Sequence, residues 1–498
     1  MTSLWLDRSR PTYPPLRPGE RYDVLVIGAG LTGLTTALLL SRAGCSVGVL
    51  EAGTVGAGTT GNTTAKISLL QGTRLSSIRA KHGADTVQQY VDGNREGQAW
   101  LLRYCDDHDV PYQIRPSFTY ATTDRGRQSV LAELRACQEA GLPVVSTTDV
   151  ELPYAVTGAV RLDGQAQFDP LDALTAMAAD LVDRGGVIRE HSRVRELKPG
   201  PAVSTAVTDR GAVQADRVVL ATGIPIMDRG GFFARVEPLR SYAATFRIPG
   251  PVPQGMYLSA DPPDRSVRSV PRRTPEGGTE ELLLTGGNGH VVGRHTDTQG
   301  LVDELVNWTR RQFPGAVGTH SWSAQDYHSS HELPFVGPLL PHDDRVLVAT
   351  GYDKWGMTNA VAASLALSSM LLGGNTEWAA AMRSWTIGEV AGLLSAARAN
   401  AAVALALGTG WAKPLLCGPG NLSPAEGHGR VERNGLHPVA VCTVDGQTYR
   451  RSAVCTHLHG VVSWNDAERS WDCPLHGSRF RADGSVIEGP ATRDLPAD

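Results

Sequence analysis

Residues Asp23-Val24-Leu25-Val26-Ile27 form an apolar run of strand length, and Gly28-Ala29-Gly30-Leu31-Thr32-Gly33 follows at once. Leu31, Leu34 and Leu38 then recur at helical spacing until Ser41-Arg42-Ala43-Gly44, where a glycine stops the helix. A second strand, Ser46 to Leu50, ends on Glu51. Strand, glycine turn, helix, strand and acid in this order open a dinucleotide-binding fold. Gly28 permits the tight turn, Gly30 lets the backbone approach a pyrophosphate, and Gly33 lets the helix pack on the sheet. The helix N-terminus faces the phosphate charge, and Glu51 can accept hydrogen bonds from ribose hydroxyls. In this full context a ligand-free glycine turn is the weaker reading.

Gly56-Ala57-Gly58-Thr59-Thr60-Gly61 also spells GxGxxG, but no new strand precedes it and no amphipathic helix follows directly. The loop Gly58 to Lys66 reads instead as a small-residue segment approaching the cofactor. The fingerprint alone does not choose between FAD and NAD.

At 498 residues the chain is too long for one ordinary core, so two or three domains are expected. The 55 glycines suit a loop-rich α/β enzyme. A net charge of −4 with interspersed signs gives no basic face for nucleic acid. Residues Met1 to Glu20 lack the apolar core of a signal peptide. Ala401 to Leu407 is apolar but far short of the ~20 residues that span a bilayer. A cytoplasmic location without membrane contact is the expectation. The cysteines at 45, 105, 137, 417, 442, 455 and 473 are odd in number and scattered, unlike a secreted disulfide framework.

Cys455-Thr456-His457 and Cys473-Pro474-Leu475-His476 form C-x-H-x15-C-x-x-H. This interlaced order suits a [2Fe–2S] cluster with Cys455 and Cys473 on one iron and His457 and His476 on the other. A mononuclear zinc site is the competing reading of two Cys and two His. Against it, the stretch from about Cys417 to the end resembles Rieske domains, with Gly477-Ser478-Arg479-Phe480, Asp483-Gly484 and Gly489-Pro490-Ala491 after the ligands. Relatives with both domains often carry an extra Cys in each ligand loop, joined as a clamp; here Gly460 and Leu475 stand in those places. Ser478 remains as a donor toward a cluster sulfur, and Phe480 replaces the Tyr of many high-potential members. The resemblance thus implies a potential in the lower part of the about −150 to +300 mV Rieske range.

Residues from about 20 to 385 resemble the flavin-dependent oxidoreductases of the D-amino-acid oxidase/glycine oxidase superfamily. Four pieces carry the resemblance: the fingerprint, the GTTGNTTAK loop, Val218 to Gly223, and Val348 to Thr358. It implies FAD, held by Gly28, Gly30, Gly33, Glu51, Thr59, Thr60, Thr64, Lys66, Gly223, Gly351, Gly356, Met357 and Thr358, with the adenine end near Val194. The segment from Val348 would lie along the isoalloxazine and lead into a helix over Ala360 to Leu372. Asp169-Pro170 opens another helix, ended by Gly185-Gly186, and Val187 to Val194 reads as a strand. Runs around Tyr112 to Thr122 and Val236 to Ile248 would belong to a substrate-domain sheet.

The implied fold is an α/β FAD-binding (Rossmann-like) domain with an interleaved α+β substrate domain over 20–385. A helical linker, 386–416, ending in Gly408, Gly410 and Pro414, and a small all-β Rieske domain, 417–498, follow. Arg240, Tyr242, Arg265, Arg268 and Lys66 are candidates for the substrate face, each with a structural role as the alternative. His290 and His295 are set aside as an iron pair, because positions five apart on a strand point to opposite faces. No catalytic acid or base stands out.

The expected activity is an FAD-dependent dehydrogenase. It would oxidise a small organic substrate at a C–N or C–O carbon and pass electrons singly through the cluster to an external acceptor. The alternatives are an O2-using oxidase, a reductase in which an external donor feeds the flavin through the cluster, and a non-catalytic electron-transfer or binding module. A pyridine-nucleotide ferredoxin reductase would need a second complete fingerprint, which is not present.

Overall fold

The computed structural model describes residues 1–273, 277–385, 393–416 and 423–498. Arg21–Ile27 is a strand, Leu31–Arg42 a helix and Val47–Leu50 the next strand, so the opening motif folds as its pattern dictates. Strand Arg21–Ile27 pairs in parallel with Gly211–Leu220 on one side and Val47–Leu50 on the other. They belong to an eight-stranded sheet whose path runs 335–340, 343–350, 211–220, 21–27, 47–50 and 187–189. Helix Pro170–Asp183 is capped by Asp169, whose side chain accepts from Leu171 N, and carries proline in its first turn. Its apolar face joins the core built on the first helix.

The second sheet has nine strands, drawn from stretches that alternate along the chain with the first. Tyr112–Ala121 and Val236–Arg247 both lie in it, as the substrate-domain reading implied. Helix Thr298–Gln312 covers the outer face, where Val302 and Leu305 pack on Tyr242. The inner face meets the nucleotide fold.

Two small antiparallel sheets of three and four strands close the chain around a core containing Cys455, Trp471, Cys473 and Phe480. Helix Leu393–Leu416 leads in, with Val403 and Ala406 packed on that core. Gly408, Gly410 and Pro414 do not end this helix as expected: it runs through all three. At Gly410 the missing side chain serves close packing, since a Cβ would sit 3.3 Å from Val461 Cβ. The linker's first residues and Cys417 lie outside the described residues. No described helix is long and apolar enough to cross a membrane.

Two other expectations are corrected. Val187 to Val194 is not one strand but two, Val187–Arg189 and Val194–Lys198. Between them His191 takes φ +48°, and the fully buried Glu190 accepts from Tyr13 N at 2.9 Å and Val55 N at 2.7 Å. The strand carrying His290 ends at Val291, and the following turn brings the His295 ring within 5.6 Å of it. The opposite-face argument therefore fails.

The N-terminal segment, silent in the sequence pattern, is a structural strap. Ser3, Leu4 and Trp5 are buried, Ser3 Oγ donates to Gly61 O, and Trp5 Nε1 donates to Thr63 O at 2.8 Å.

Candidate functional site

Gly28, Glu51, Gly223 and Gly351 follow the carboxyl ends of four adjacent parallel strands, where ligands of open α/β sheets bind. Gly28 has φ +108°, and a Cβ there would lie 2.4 Å from Ala221 O. A Cβ on Gly33 would lie 1.9 Å from Gly28 O, so helix and turn touch backbone to backbone. Gly30 sits at the helix N-cap with no side chain to cap it. Thr60 Oγ1 accepts from Leu31 N at 3.1 Å, beside the spot a Gly30 side chain would take. The Glu51 carboxylate accepts from Ala29 N at 2.9 Å and Gly53 N at 2.7 Å. Burial pushes its pKa up and those amides pull it back. Ser192, two residues before Val194, donates its N–H to Glu51 O at 2.8 Å.

The neighbouring loop is anchored on the nine-stranded sheet. Thr59 Oγ1 donates to Gln325 O at 2.7 Å, and Thr64 Oγ1 accepts from Lys66 Nζ at 3.1 Å. Gly351 takes φ +81°, and Gly356 begins helix Gly356–Leu371, with Met357 and Thr358 buried. Thr358 Oγ1 donates to Asn94 Oδ1 at 2.6 Å in a neutral buried network with Gln71. The glycine cradle, the uncapped helix and the braced acid fit the nucleotide half of FAD.

Of the five substrate-face candidates, the structure places Lys66 and Arg268 on the inner face. Lys66 Nζ also donates to Ser266 Oγ, and Arg268 donates to Thr64 O and Ala65 O at 2.8 and 2.6 Å. Burial, then the neighbouring Arg268, pushes Lys66 down to about 7; burial pushes Arg268 down to about 9. Among the described residues neither contacts a carboxylate. The other three face elsewhere. Arg265 pairs with Glu304 at 2.5 Å on the outer helix, and Tyr242 stacks on His290 at 5.6 Å. Arg240 runs to Glu468 and, at 3.3 Å, to Glu488 of the C-terminal domain.

In the C-terminal domain Cys455, Cys473 and His476 are buried. The two thiols act on each other: Cys473 pulls Cys455 below the ordinary thiol value, and Cys455 with burial pushes Cys473 well above it. Burial lowers His476 to about 4, keeping the imidazole neutral, and its buried Nδ1 has no partner among the described residues, as a metal-facing nitrogen requires. The imidazole centroids of His457 and His476 are 5.2 Å apart. Among the described residues only His328, Glu332 and Asp353 bring three ligand atoms within 4.8 Å of one another. Thus no three of the four cluster candidates converge as one tetrahedral zinc ion needs; sulfurs pair with sulfurs and imidazoles with imidazoles, as two irons need. The His328 group itself is already neutralised by Arg74, which pairs with Glu332 at 2.6 Å and with Asp353, and by Lys81.

The candidate ligand histidines are covered by a loop that no motif announced. His457 Nε2 contacts an Asp228 carboxylate oxygen, and its side chain is 5% exposed. The Phe233 ring stands edge-on to His457 and His476, at 6.0 and 5.2 Å. Ser478 is buried beside Cys455, whose pKa it helps to lower, and its Oγ accepts from Ala491 N at 3.0 Å. Gly460 and Leu475 face each other: a Cβ on Gly460 would lie 2.6 Å from Leu475 Cγ and 3.1 Å from Cys473 Sγ.

Comparison with known proteins agrees. Residues 23–370 match the family model for FAD dependent oxidoreductases, and residues 415–497 match the Rieske [2Fe-2S] domain. A Bacillus subtilis (strain 168) protein described as a "Putative Rieske 2Fe-2S iron-sulfur protein" is 31% identical over 493 residues, 97% of this chain and 95% of its own. The cytochrome b6-f complex iron-sulfur subunit of Synechococcus sp. (strain JA-3-3Ab) is 55% identical over 47 residues, 9% of this chain and 27% of that subunit. Glycine oxidase from Geobacillus kaustophilus superposes with a TM-score of 0.60 at 19% identity, over 72% of this chain and 96% of that one. The chain belongs to the FAD-dependent oxidoreductase family and carries a C-terminal Rieske [2Fe–2S] domain, with FAD and the cluster as its cofactors.

Proposed function

We propose that the protein is a dehydrogenase that oxidises a small amine bearing a carboxylate and passes the electrons singly through the cluster. The observation that carries this reading is the inward-facing histidine edge: His457 and His476 sit against Asp228 and Phe233 of the flavoprotein. A cluster with no redox traffic with the flavin has no need of that orientation. The substrate class is read from Lys66 and Arg268, two buried basic side chains on the inner face that contact no carboxylate among the described residues.

Bound FAD supplies two-electron chemistry and the bound cluster one-electron chemistry. Arg268, fixed by two backbone carbonyls, would orient a substrate carboxylate. Lys66, pinned by Thr64 and Ser266, would hold or release a proton near neutral pH. The Trp5 strap behind the loop keeps water from that side.

Anaerobic screening of amines for flavin bleaching tests the reading. Carboxylate-bearing amines should bleach the flavin at lower concentration than their uncharged analogues, and Arg268→Met should remove that preference. No bleaching by any amine, or equal response to charged and uncharged compounds, would refute the substrate class. His457→Ala should abolish the Rieske paramagnetic signal and leave bleaching intact; loss of bleaching with FAD still bound would refute the outlet role.

A further inference from the structure

One strand touches both cofactor sites. Gln325, on Val317–Ser329, donates from Nε2 to the Gly477 carbonyl and to Tyr327 Oη, both at 2.9 Å. Its own carbonyl accepts from Thr59 Oγ1 at 2.7 Å, and the Tyr327 carbonyl accepts from Asp353 N at 3.1 Å. Thr59 and Asp353 lie in the two loops assigned to the flavin, whereas Gly477 follows the cluster ligand His476. The Tyr327 ring also packs on Gly223, where a Cβ would lie 3.0 Å from it.

The contact has no slack. Gly477 takes φ +78°, and a Cβ there would lie 2.5 Å from Pro238 Cβ. Gly293, on the flavoprotein side, takes φ +69°, and a Cβ would lie 2.7 Å from Pro474 N. Arg294 Nε donates to Pro474 O at 2.9 Å. Farther out, Arg193 reaches the Val486 and Ile487 carbonyls at 3.1 Å, and Thr298 Oγ1 donates to Asn465 Oδ1 at 2.8 Å. Arg240, buried in the whole chain, pairs across the contact with Glu468 and Glu488.

We infer that the Rieske domain works docked: electrons cross between flavin and cluster within one chain, over the fixed contact of Gln325, Tyr327 and Gly477, without the domain swinging between two positions. The inference rests on the reading that the two cofactors exchange electrons. Tunnelling decays exponentially with distance, so a clamp on separation is a clamp on rate. One electron crosses at a time, oxidising the flavin and reducing the cluster by one, and no heavy-atom bond forms or breaks. An external one-electron acceptor empties the cluster before the second electron crosses, and the proton of the reduced ring leaves to solvent. Gln325 and Gly293 are positioning residues in this scheme.

Laser-flash photoreduction of the anaerobic holoprotein with 5-deazariboflavin tests it without any organic substrate. Flavin and cluster absorbance should re-equilibrate in a first-order phase that is independent of protein concentration and of viscosity raised with glycerol. Gly293→Val, which presses on Pro474 from the flavoprotein side, should slow that phase severalfold and make it viscosity-dependent. Flavin content, the cluster paramagnetic signal and both midpoint potentials should stay unchanged. A wild-type rate that scales with protein concentration or falls in proportion to viscosity would overturn the docked scheme. So would wild-type exchange in Gly293→Val. Should that variant lose its cluster, the wild-type viscosity series decides alone. Complete absence of exchange in the wild type would instead overturn the reading that the cofactors are coupled.

Discussion

Gly460 lies where the resemblance implied half of a clamping disulfide, and the space beside it is filled by Leu475, 2.6 Å from where a Cβ would be. Apolar packing holds the two loops at this point. Gly460→Ala should therefore overpack the site by about 1–3 kcal/mol, seen as a lower melting temperature and partial cluster loss. Adding Leu475→Cys to Gly460→Cys removes the obstructing side chain, so the double variant should keep more cluster than Gly460→Ala does. Equal cluster content would show that Leu475 is not what fills the gap. At the nucleotide turn, Gly30→Val would press a branched side chain against Thr60 Oγ1, 3.2 Å from the Cβ position. It would also occupy the approach to the pyrophosphate. The purified variant should lose its flavin absorbance and keep that of the cluster, with the flavin-to-protein ratio as the measure; full flavin occupancy would contradict the assignment.

The elements that were legible in the sequence are those whose partners lie nearby along the chain. Strand, turn and helix over Asp23 to Arg42 need only local periodicity and three glycines, and the cluster ligands need only spacing. What stayed hidden depends on residues far away in sequence. Val187 to Val194 breaks in two because Glu190 must reach Tyr13 and Val55, and helix Leu393–Leu416 runs on through Gly410, where Val461 packs. No periodicity could show that Arg240 would leave the substrate face for the C-terminal domain. There it joins Arg479, Glu468, Glu488 and Asp472 in a buried charged layer. Burial pushes the Glu468 carboxyl up, but Arg240 and Arg479 pull it well below the usual range. A depressed carboxylate stabilises fully above its unfolded value, about pH 4.3, and loses that contribution as pH falls toward the folded value. Melting temperature should thus hold from neutral pH down to about 5 and then drop. Glu468→Gln should lie lower at pH 7 and lose part of the acid slope. A variant with the wild-type slope would place the acid sensitivity elsewhere.

At the scale of the molecule, the flavoprotein is not complete without the domain that follows it. Ending the chain after residue 385 would strip Arg240 of Glu468 and Glu488 and open to water the face that the C-terminal domain covers. The shortened protein should melt below the full chain. If the truncated protein melts with the full chain, the interface does not support the flavoprotein.

The interleaving of the two sheets also sets a timetable. Strand Arg21–Ile27 has Val47–Leu50 close by in sequence, but its other neighbour comes only at Gly211–Leu220, and that strand's other neighbour is Asp343–Thr350. At ~5–20 residues per second on the ribosome, that edge of the first strand waits unpaired on the order of 10–40 s. During that wait its apolar Val24, Leu25, Val26 and Ile27 have one short strand beside them in place of a sheet. Yield in a foreign host should then follow chaperone supply and growth temperature more than codon choice, because the delay lies in the order of the strands.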